Sequence, residues 1–246
     1  MNLILLDNEE TSICWSPNEP RAKHVREILR LGVGDNFIVG IKNGRMGRAR
    51  ILEDNTEGMR LEISLQWAPP AILPIHLLIG LPRPQVARRL LREMPSLGVK
   101  KVTFFSAEKS ELSYRQSRLW STGEWRKLLS EGAELAFSTH IPTIQHADNL
   151  SQAVENLEAC QIRIAFDLYE TEGPFDRHSI NPYENAILLA FGPEGGWAPR
   201  ERQVLRDQDF RLLSLGARVM RVETAVIAAT ALASAHLGKI GKPLVT

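Results

Sequence analysis

Leu188-Leu189-Ala190-Phe191-Gly192-Pro193-Glu194-Gly195-Gly196-Trp197 and, about twenty residues later, Leu215-Gly216-Ala217-Arg218-Val219-Met220-Arg221-Val222-Glu223-Thr224-Ala225 decide how this chain is read. Each is an apolar run that stops abruptly at a glycine. An unalternating apolar run is the pattern of a strand buried on both faces. A glycine at its end leaves backbone N–H and C=O groups open to a ligand, with no side chain in the way. Two such turns close in sequence point to one backbone-lined pocket. The first is followed by no Gly-Lys-Ser/Thr and is not Gly-x-Gly-x-x-Gly, so neither a P-loop nor a pyrophosphate cradle is indicated. A plain strand-to-helix turn is the alternative, against which stand three glycines, a proline and an acid within five residues.

Around these turns the chain alternates apolar strands with amphipathic helices from Ile75 onward. Strands are expected at His76–Leu81, Val99–Phe105, Arg163–Phe166, Ala186–Phe191 and Arg211–Leu215. Helices are expected at Pro84–Leu97, from a Ser121-Thr122-Gly123-Glu124 capping box toward Phe137, at Leu150–Glu158, from Pro199 to about Asp207, and at Glu223–Leu237. That alternation predicts a parallel sheet covered on both faces. The first seventy residues read as mostly β. Two short strands flank Asn43-Gly44, a hairpin signal, Leu61–Trp67 alternates, and one short helix is expected over Arg21–Leu31, stopped by Gly32 and Gly34. A small barrel is expected there, with Ala68-Pro69-Pro70 as linker, giving domains 1–69 and 70–246.

Hydrophobic residues make up 43% and charged residues 24% of the 246, ordinary values for a globular chain, so disorder and fibres are excluded. A net charge of +1 does not announce a nucleic-acid binder, although residues 71–150 hold 11 basic and 7 acidic side chains. Cys14 and Cys160 lie far apart without metal spacing, and the six histidines are scattered, so no metal is expected and a reduced, cytoplasmic setting is. The N-terminal apolar run is too short for a signal peptide and the Ala225–Ala235 run too short for a membrane span.

The two glycine-ended segments, their order and their spacing resemble the SPOUT class of RNA methyltransferases. Within it they are most similar to the family that methylates N3 of a uridine in 16S ribosomal RNA. That family carries Gly-Pro-Glu-Gly-Gly-Trp/Phe after a strand and Leu-Gly-x-Arg-Ile-Leu-Arg-x-Glu-Thr-Ala into its last helix. Here Gly192–Trp197 and Leu215–Ala225 match, with Val219-Met220 for Ile-Leu. His24-Val25-Arg26-Glu27-Ile28-Leu29-Arg30 with Gly34-Asp35 resembles the family's N-terminal PUA-like signature, and Leu97-Gly98-Val99 and Ile141-Pro142 also fall in place.

The resemblance implies an α/β fold: a C-terminal trefoil-knotted, parallel-sheet methyltransferase domain behind a small PUA-like β-barrel. It implies S-adenosylmethionine as cofactor, held at Leu189, Phe191, Gly192, Glu194, Gly195, Gly196, Leu215, Gly216, Val219 and Met220. It implies Arg221, Glu223 and Thr224 at the reactive edge, ribosomal RNA of the small subunit as partner, and a homodimer packed through the last helix. RNA contacts are expected at His24, Arg26, Arg30, Arg83, Arg88 and Lys109. Arg221 would stabilise charge on the uracil carbonyls, Glu223 would orient Arg221 or take the N3 proton, and Thr224 would hydrogen-bond base or cofactor. For Arg221 and Glu223 a helix-capping acid beside an arginine is the plainer alternative. For the arginines of residues 83–92 a solvated helix face is.

The middle segment departs from the family. Glu93-Met94-Pro95-Ser96-Leu97-Gly98-Val99 stands for Lys-Ala-Thr-Glu-Leu-Gly-Val, Lys109 for the arginine of Glu-Arg-Ser, and Leu135 and Ser138 for a glutamine and an arginine. Ala198 replaces the usual serine before Pro199. These changes leave two other readings open: a paralogue that methylates another RNA site, or a knotted RNA- or ribosome-binding protein without turnover.

Overall fold

The computed structural model describes residues 3–9, 11–155, 162–176, 178–180 and 186–240. They divide into two compact units, Met1–Pro70 with Ser130–Ile141, and Ala71–Leu129 with Pro142–Thr246. Cys160 lies outside the described residues, while Cys14 is exposed as a free thiol.

In the first unit β1 (Leu3–Leu6), β2 (Ser12–Trp15), β3 (Asn36–Ile41), β4 (Met46–Asn55) and β5 (Gly58–Trp67) build one five-stranded sheet in the order β1-β3-β4-β5-β2, and α1 (Pro20–Lys23) follows β2 in the chain. β1 runs parallel to β3 and the other pairs are antiparallel. Alternation along β4 and β5 sends Ala49, Ile51, Leu61 and Ile63 into a core with Phe37, Val39 and Trp15. This arrangement is compatible with the expected small barrel. The expected helix over 21–31 is shorter: α1 passes into a π-helical turn at His24–Ile28, and Arg30 at φ 56 turns the chain. Asn43 takes the left-handed conformation that its hairpin needs, at φ 57.

The Asn43 hairpin also holds a distant stretch. Asn43 N–H donates to Thr139 O at 2.8 Å, and its Oδ1 accepts the Ile141 N–H at 2.9 Å. Leu5 N–H donates to Glu134 Oε1 at 3.1 Å, and Ala133 packs with Leu3, Leu5 and Met46. Residues 130–141 therefore belong to the first unit.

The second unit contains β6 (Leu73–Gly80), α2 (Pro84–Glu93), β7 (Val99–Phe105), α3 (Arg118–Ser121), the start of α4 (Glu124–Leu135), β8 (Thr143–Ala147), α5 (Leu150–Glu155), β9 (Ile162–Phe166), β10 (Gly173–Pro174), β11 (Ile187–Phe191), α6 (Pro199–Asp207), β12 (Arg211–Ser214) and α7 (Val222–His236). Its seven strands are all parallel, in the order β10-β12-β9-β11-β6-β7-β8. β11 is buried at every residue and lies between β6 and β9, which is why its sequence shows no alternation. The chain order reverses around it, so the C-terminal ends of β6, β9, β11 and β12 open side by side, where open α/β sheets form a crevice. α7 packs on α2 and β11 through Val222, Val226, Ala229, Thr230 and Ala233, a stripe at helical spacing.

β7 and α6 fall on their expected bounds, and two further helices differ. α2 stops at Glu93 rather than Leu97: Met94 still has helical backbone and donates to Leu90 O at 2.9 Å, but Pro95 has no N–H to continue the ladder. The Ser121 capping box does not form: Ser121 closes α3, its hydroxyl donates to Ser117 O at 3.2 Å, and Gly123 at φ 77 turns the chain into α4. α4 ends at Leu135, short of Phe137, which has φ 51. Of the helix expected at 150–158, residues 156–158 lie outside the described residues.

Candidate functional site

Beyond the strand ends lies a cleft of about 750 Å³, within the usual size of small-molecule sites. Three loops form it: Phe166–Tyr169 after β9, Gly192–Trp197 after β11, and Leu215–Arg221 after β12. Arg83, Gln85, Val86 and Arg89 of the α2 segment add one wall, and Val222, Glu223 and Ala225 another. The cleft gathers Phe191, Gly192, Glu194, Gly195, Gly196, Leu215, Val219 and Met220 of the expected cofactor residues. Leu189 does not line it, being fully buried inside β11, and Gly216 sits in the β12 turn at φ 109 outside the lining.

The glycine turn is held from several sides. Gly196 N–H bonds Pro193 O at 2.8 Å, closing the turn. Glu194 Oε1 accepts the backbone N–H of Arg83, the residue before α2, at 3.0 Å. Lys109 Nζ donates to Gly195 O at 3.0 Å and to Trp197 O at 3.1 Å. Trp197, only 1% exposed, stacks on Phe105 at 5.9 Å, and its indole N–H donates to Phe166 O at 2.8 Å. Ala198 has no polar side chain to cap α6, and buried Glu201 at the third helical position supplies the reciprocal half of a capping box. Its carboxylate accepts the Ala198 N–H at 2.9 Å and the Glu108 N–H at 3.0 Å.

At the opposite edge Arg221 caps α7 with extended backbone and an exposed side chain. It lines the cleft and makes no ion pair among the described residues. Glu223 also lines the cleft, but its carboxylate lies 3.2 Å from the Arg89 guanidinium rather than against Arg221. Thr224 is exposed on α7 outside the lining.

The sequence reading passed over Asp167. It directly follows β9 on the cleft wall with its side chain 3% exposed, and it pairs with Arg202 of α6, 7% exposed. Burial pushes the Asp167 carboxyl up. The Arg202 hydrogen bond and the Leu168 and Tyr169 N–H groups outweigh that and hold it below the usual carboxylate range. Short of seeing the fold, only an acid directly after an apolar strand signalled it.

The expected RNA contacts divide. Arg30 is exposed, and Arg83 stands at the cleft mouth with its guanidinium on the Tyr114 hydroxyl. His24 is half-buried near the Glu134 carboxyl, which burial pushes up. Three others are engaged within the fold. Arg26 forks onto Asp54 at 3.0 Å and donates to Pro17 O at 2.9 Å. Arg88 holds Glu124 through two bonds of 2.7 and 2.9 Å, which keep that carboxyl below its usual range. Lys109 is the tie on the glycine turn described above. Among the described residues no cluster of His, Cys, Asp and Glu is arranged to hold a metal ion, and no helix is long and apolar enough to cross a membrane.

Three comparisons place this geometry among known proteins. A profile described as RNA methyltransferase domain matches residues 69–234. The ribosomal RNA small subunit methyltransferase E of Treponema pallidum is 32% identical, over 97% of this chain and 93% of the relative. The ribosomal RNA small subunit methyltransferase E 1 of Borreliella burgdorferi is 30% identical, over 96% and 99%. The crystal structure of ribosomal RNA small subunit methyltransferase E from Neisseria gonorrhoeae bound to S-adenosyl methionine shares the fold, with a TM-score of 0.81 at 20% identity over 96% of this chain and 97% of that one.

Proposed function

The chain belongs to the RNA methyltransferase family, and from that premise we propose that its cleft transfers a methyl group from S-adenosylmethionine to N3 of a uridine in 16S rRNA of the small ribosomal subunit. One observation carries the reading: both glycine-ended turns, 192–197 and 215–220, line a single cleft with Arg221 and Glu223 at its edge.

The walls fit the donor. Phe191, Leu215, Val219 and Met220 offer apolar surface for an adenosyl group, and the glycine turn offers backbone groups for polar ends. When bound, S-adenosylmethionine supplies an electrophilic sulfonium methyl group. The chain's own part is positioning, because such transfer needs an aligned nucleophile and little covalent help. N3 of uridine carries a proton at neutral pH and must lose it before or during attack. Glu223, oriented by Arg89 and not paired with Arg221, takes that proton. Arg221 stabilises negative charge developing on the uracil carbonyls. Thr224 would reach the base or the donor only from the α7 exterior. The target base must be unpaired or flipped to present its Watson–Crick edge.

The same reading extends to a trefoil knot in the C-terminal domain, a PUA-like N-terminal barrel, a homodimer packed through α7, and a cytoplasmic setting. For the RNA, Arg30 and His24 in the first unit and Arg83 in the second are the contacts, while Arg26, Arg88 and Lys109 act first as internal ties. A second reading, another RNA target, draws on Leu135, which is 73% exposed where the resembling family has a glutamine.

Arg221→Ala tests the proposal. We expect methyl transfer to fall by about 10²-fold or more, with S-adenosylmethionine affinity by calorimetry unchanged. Full activity removes Arg221 from the mechanism. Absence of donor binding in the unmodified protein removes the enzyme reading.

A further inference from the structure

The Asp167–Arg202 pair lies in the cleft wall, yet neither residue belongs to the two glycine-ended motifs. Asp167 accepts from Arg202 Nε at 2.5 Å and Arg202 Nη2 at 3.2 Å, from the Leu168 N–H at 2.7 Å and from the Tyr169 N–H at 3.3 Å. Three of these bonds fall on Oδ1 and one on Oδ2, and all four tie Asp167 to α6 and to its own loop. The network continues outward. Arg202 lies 3.6 Å from Glu170, Arg206 bonds the same Glu170 at 2.5 Å, and the Tyr169 ring stands 5.8 Å from the Arg202 guanidinium carbon. Residues 167–170 are thus fastened, link by link, to α6. That helix begins directly after the glycine turn and is itself anchored by Glu201. Two of the three loops that form the cleft are therefore fixed to one helix.

Resting on the proposed function, we propose that Asp167 and Arg202 are positioning residues for the methyl donor: together they set the backbone at Leu168 and Tyr169, and so the wall against which S-adenosylmethionine lies. Neither touches the reacting atoms. The effect falls on donor binding and leaves the chemical step alone. The depressed carboxyl of Asp167 agrees, since a carboxylate held charged by its ion pair and backbone bonds is a fixed post and a poor base.

Removing one partner strands a buried charge, so single truncations lose stability whatever their role. Replacing both by apolar side chains of similar volume avoids that, because such exchanges of buried pairs are often neutral. The test is therefore the double variant Asp167→Leu with Arg202→Met, beside Arg202→Lys, which keeps the charge. Melting temperature, calorimetric affinity for S-adenosylmethionine, and KM and kcat on small ribosomal subunits are measured. The double variant is expected to melt near the unsubstituted protein, to raise Kd and KM for the donor about 10- to 100-fold, and to keep kcat at saturating donor. Arg202→Lys recovers part of the affinity. A double variant with unaltered melting temperature and unaltered donor affinity overturns the inference, as does a loss confined to kcat. Failure of the unsubstituted protein to bind the donor is a different result and overturns the functional reading instead.

Discussion

Gly80 ends β6 beneath the glycine turn, and replacing it tests how finely that turn is placed. A Cβ built on Gly80 stands 2.7 Å from Pro193 Cδ and 2.8 Å from Pro193 N. Carbon atoms pack at about 3.5 Å or more, so Gly80→Ala must displace Pro193 by roughly 0.8 Å. The obstacle is a ring fused to the backbone and cannot swing aside as a long side chain would. Overpacking of this kind costs about 1–3 kcal/mol, which lowers the melting temperature by roughly 2–12 °C in a chain of this size. A displacement near 1 Å in a positioning element costs up to about 100-fold in activity. Gly173→Ala is the control, since a Cβ there meets nothing within 4 Å. Its stability should stay within about 0.5 kcal/mol. Thermal melting and calorimetric titration with S-adenosylmethionine compare the two. Gly80→Ala is expected to bind the donor at least tenfold more weakly, Gly173→Ala normally. A Gly80→Ala protein with undiminished donor affinity refutes the argument that Pro193 sets the cleft.

Three further outcomes are expected. Lys109→Met removes one ammonium and both its bonds, to the carbonyls of Gly195 and Trp197, and at about 1.5 kcal/mol for each bond, donor affinity falls by up to about 100-fold. Lys109→Arg keeps most of it, and a Lys109→Met protein impaired only in RNA binding would return this residue to the RNA surface. Arg26→Met should lower stability by about 1 kcal/mol through its partly exposed tie to Asp54, leaving rRNA affinity unchanged in a filter-binding assay. The Asp167 carboxyl is depressed in the folded state, so the stability it contributes is present above its unfolded value near pH 4 and is lost as pH falls through the native value. Denaturant titrations from about pH 6 to pH 2 should show that loss, with a flatter profile in the Asp167→Leu/Arg202→Met double variant.

The strands and glycine turns of the second unit were legible because their signals are local. Ile187–Phe191 is apolar throughout since both faces are covered, and Pro199 marks the start of α6 by its own covalent geometry. What escaped depends on partners far along the chain. Arg26, Arg88 and Lys109 read as free cations, but their partners Asp54, Glu124 and Gly195 lie 28, 36 and 86 residues away. Asp167 finds Arg202 across 35 residues, with no spacing rule to announce it. Residues 130–141 read as helix and loop of the second unit. Their attachment to the first rests on Asn43 and Leu5, 98 and 129 residues away. Leu189 shows the converse error. It belongs to the decisive stretch, but it lies two residues inside the fully buried β11, whereas Phe191 and Gly192 stand at the strand end and reach the cleft.

The most direct test of the central claim joins donor, acceptor atom and RNA in one measurement. Small ribosomal subunits lacking the modification are incubated with the protein and methyl-labelled S-adenosylmethionine, and the 16S rRNA is digested to nucleosides for mass spectrometry. The account predicts label in 3-methyluridine alone, lost with Arg221→Ala. Label in another nucleoside, or none from a protein that binds the donor, contradicts it.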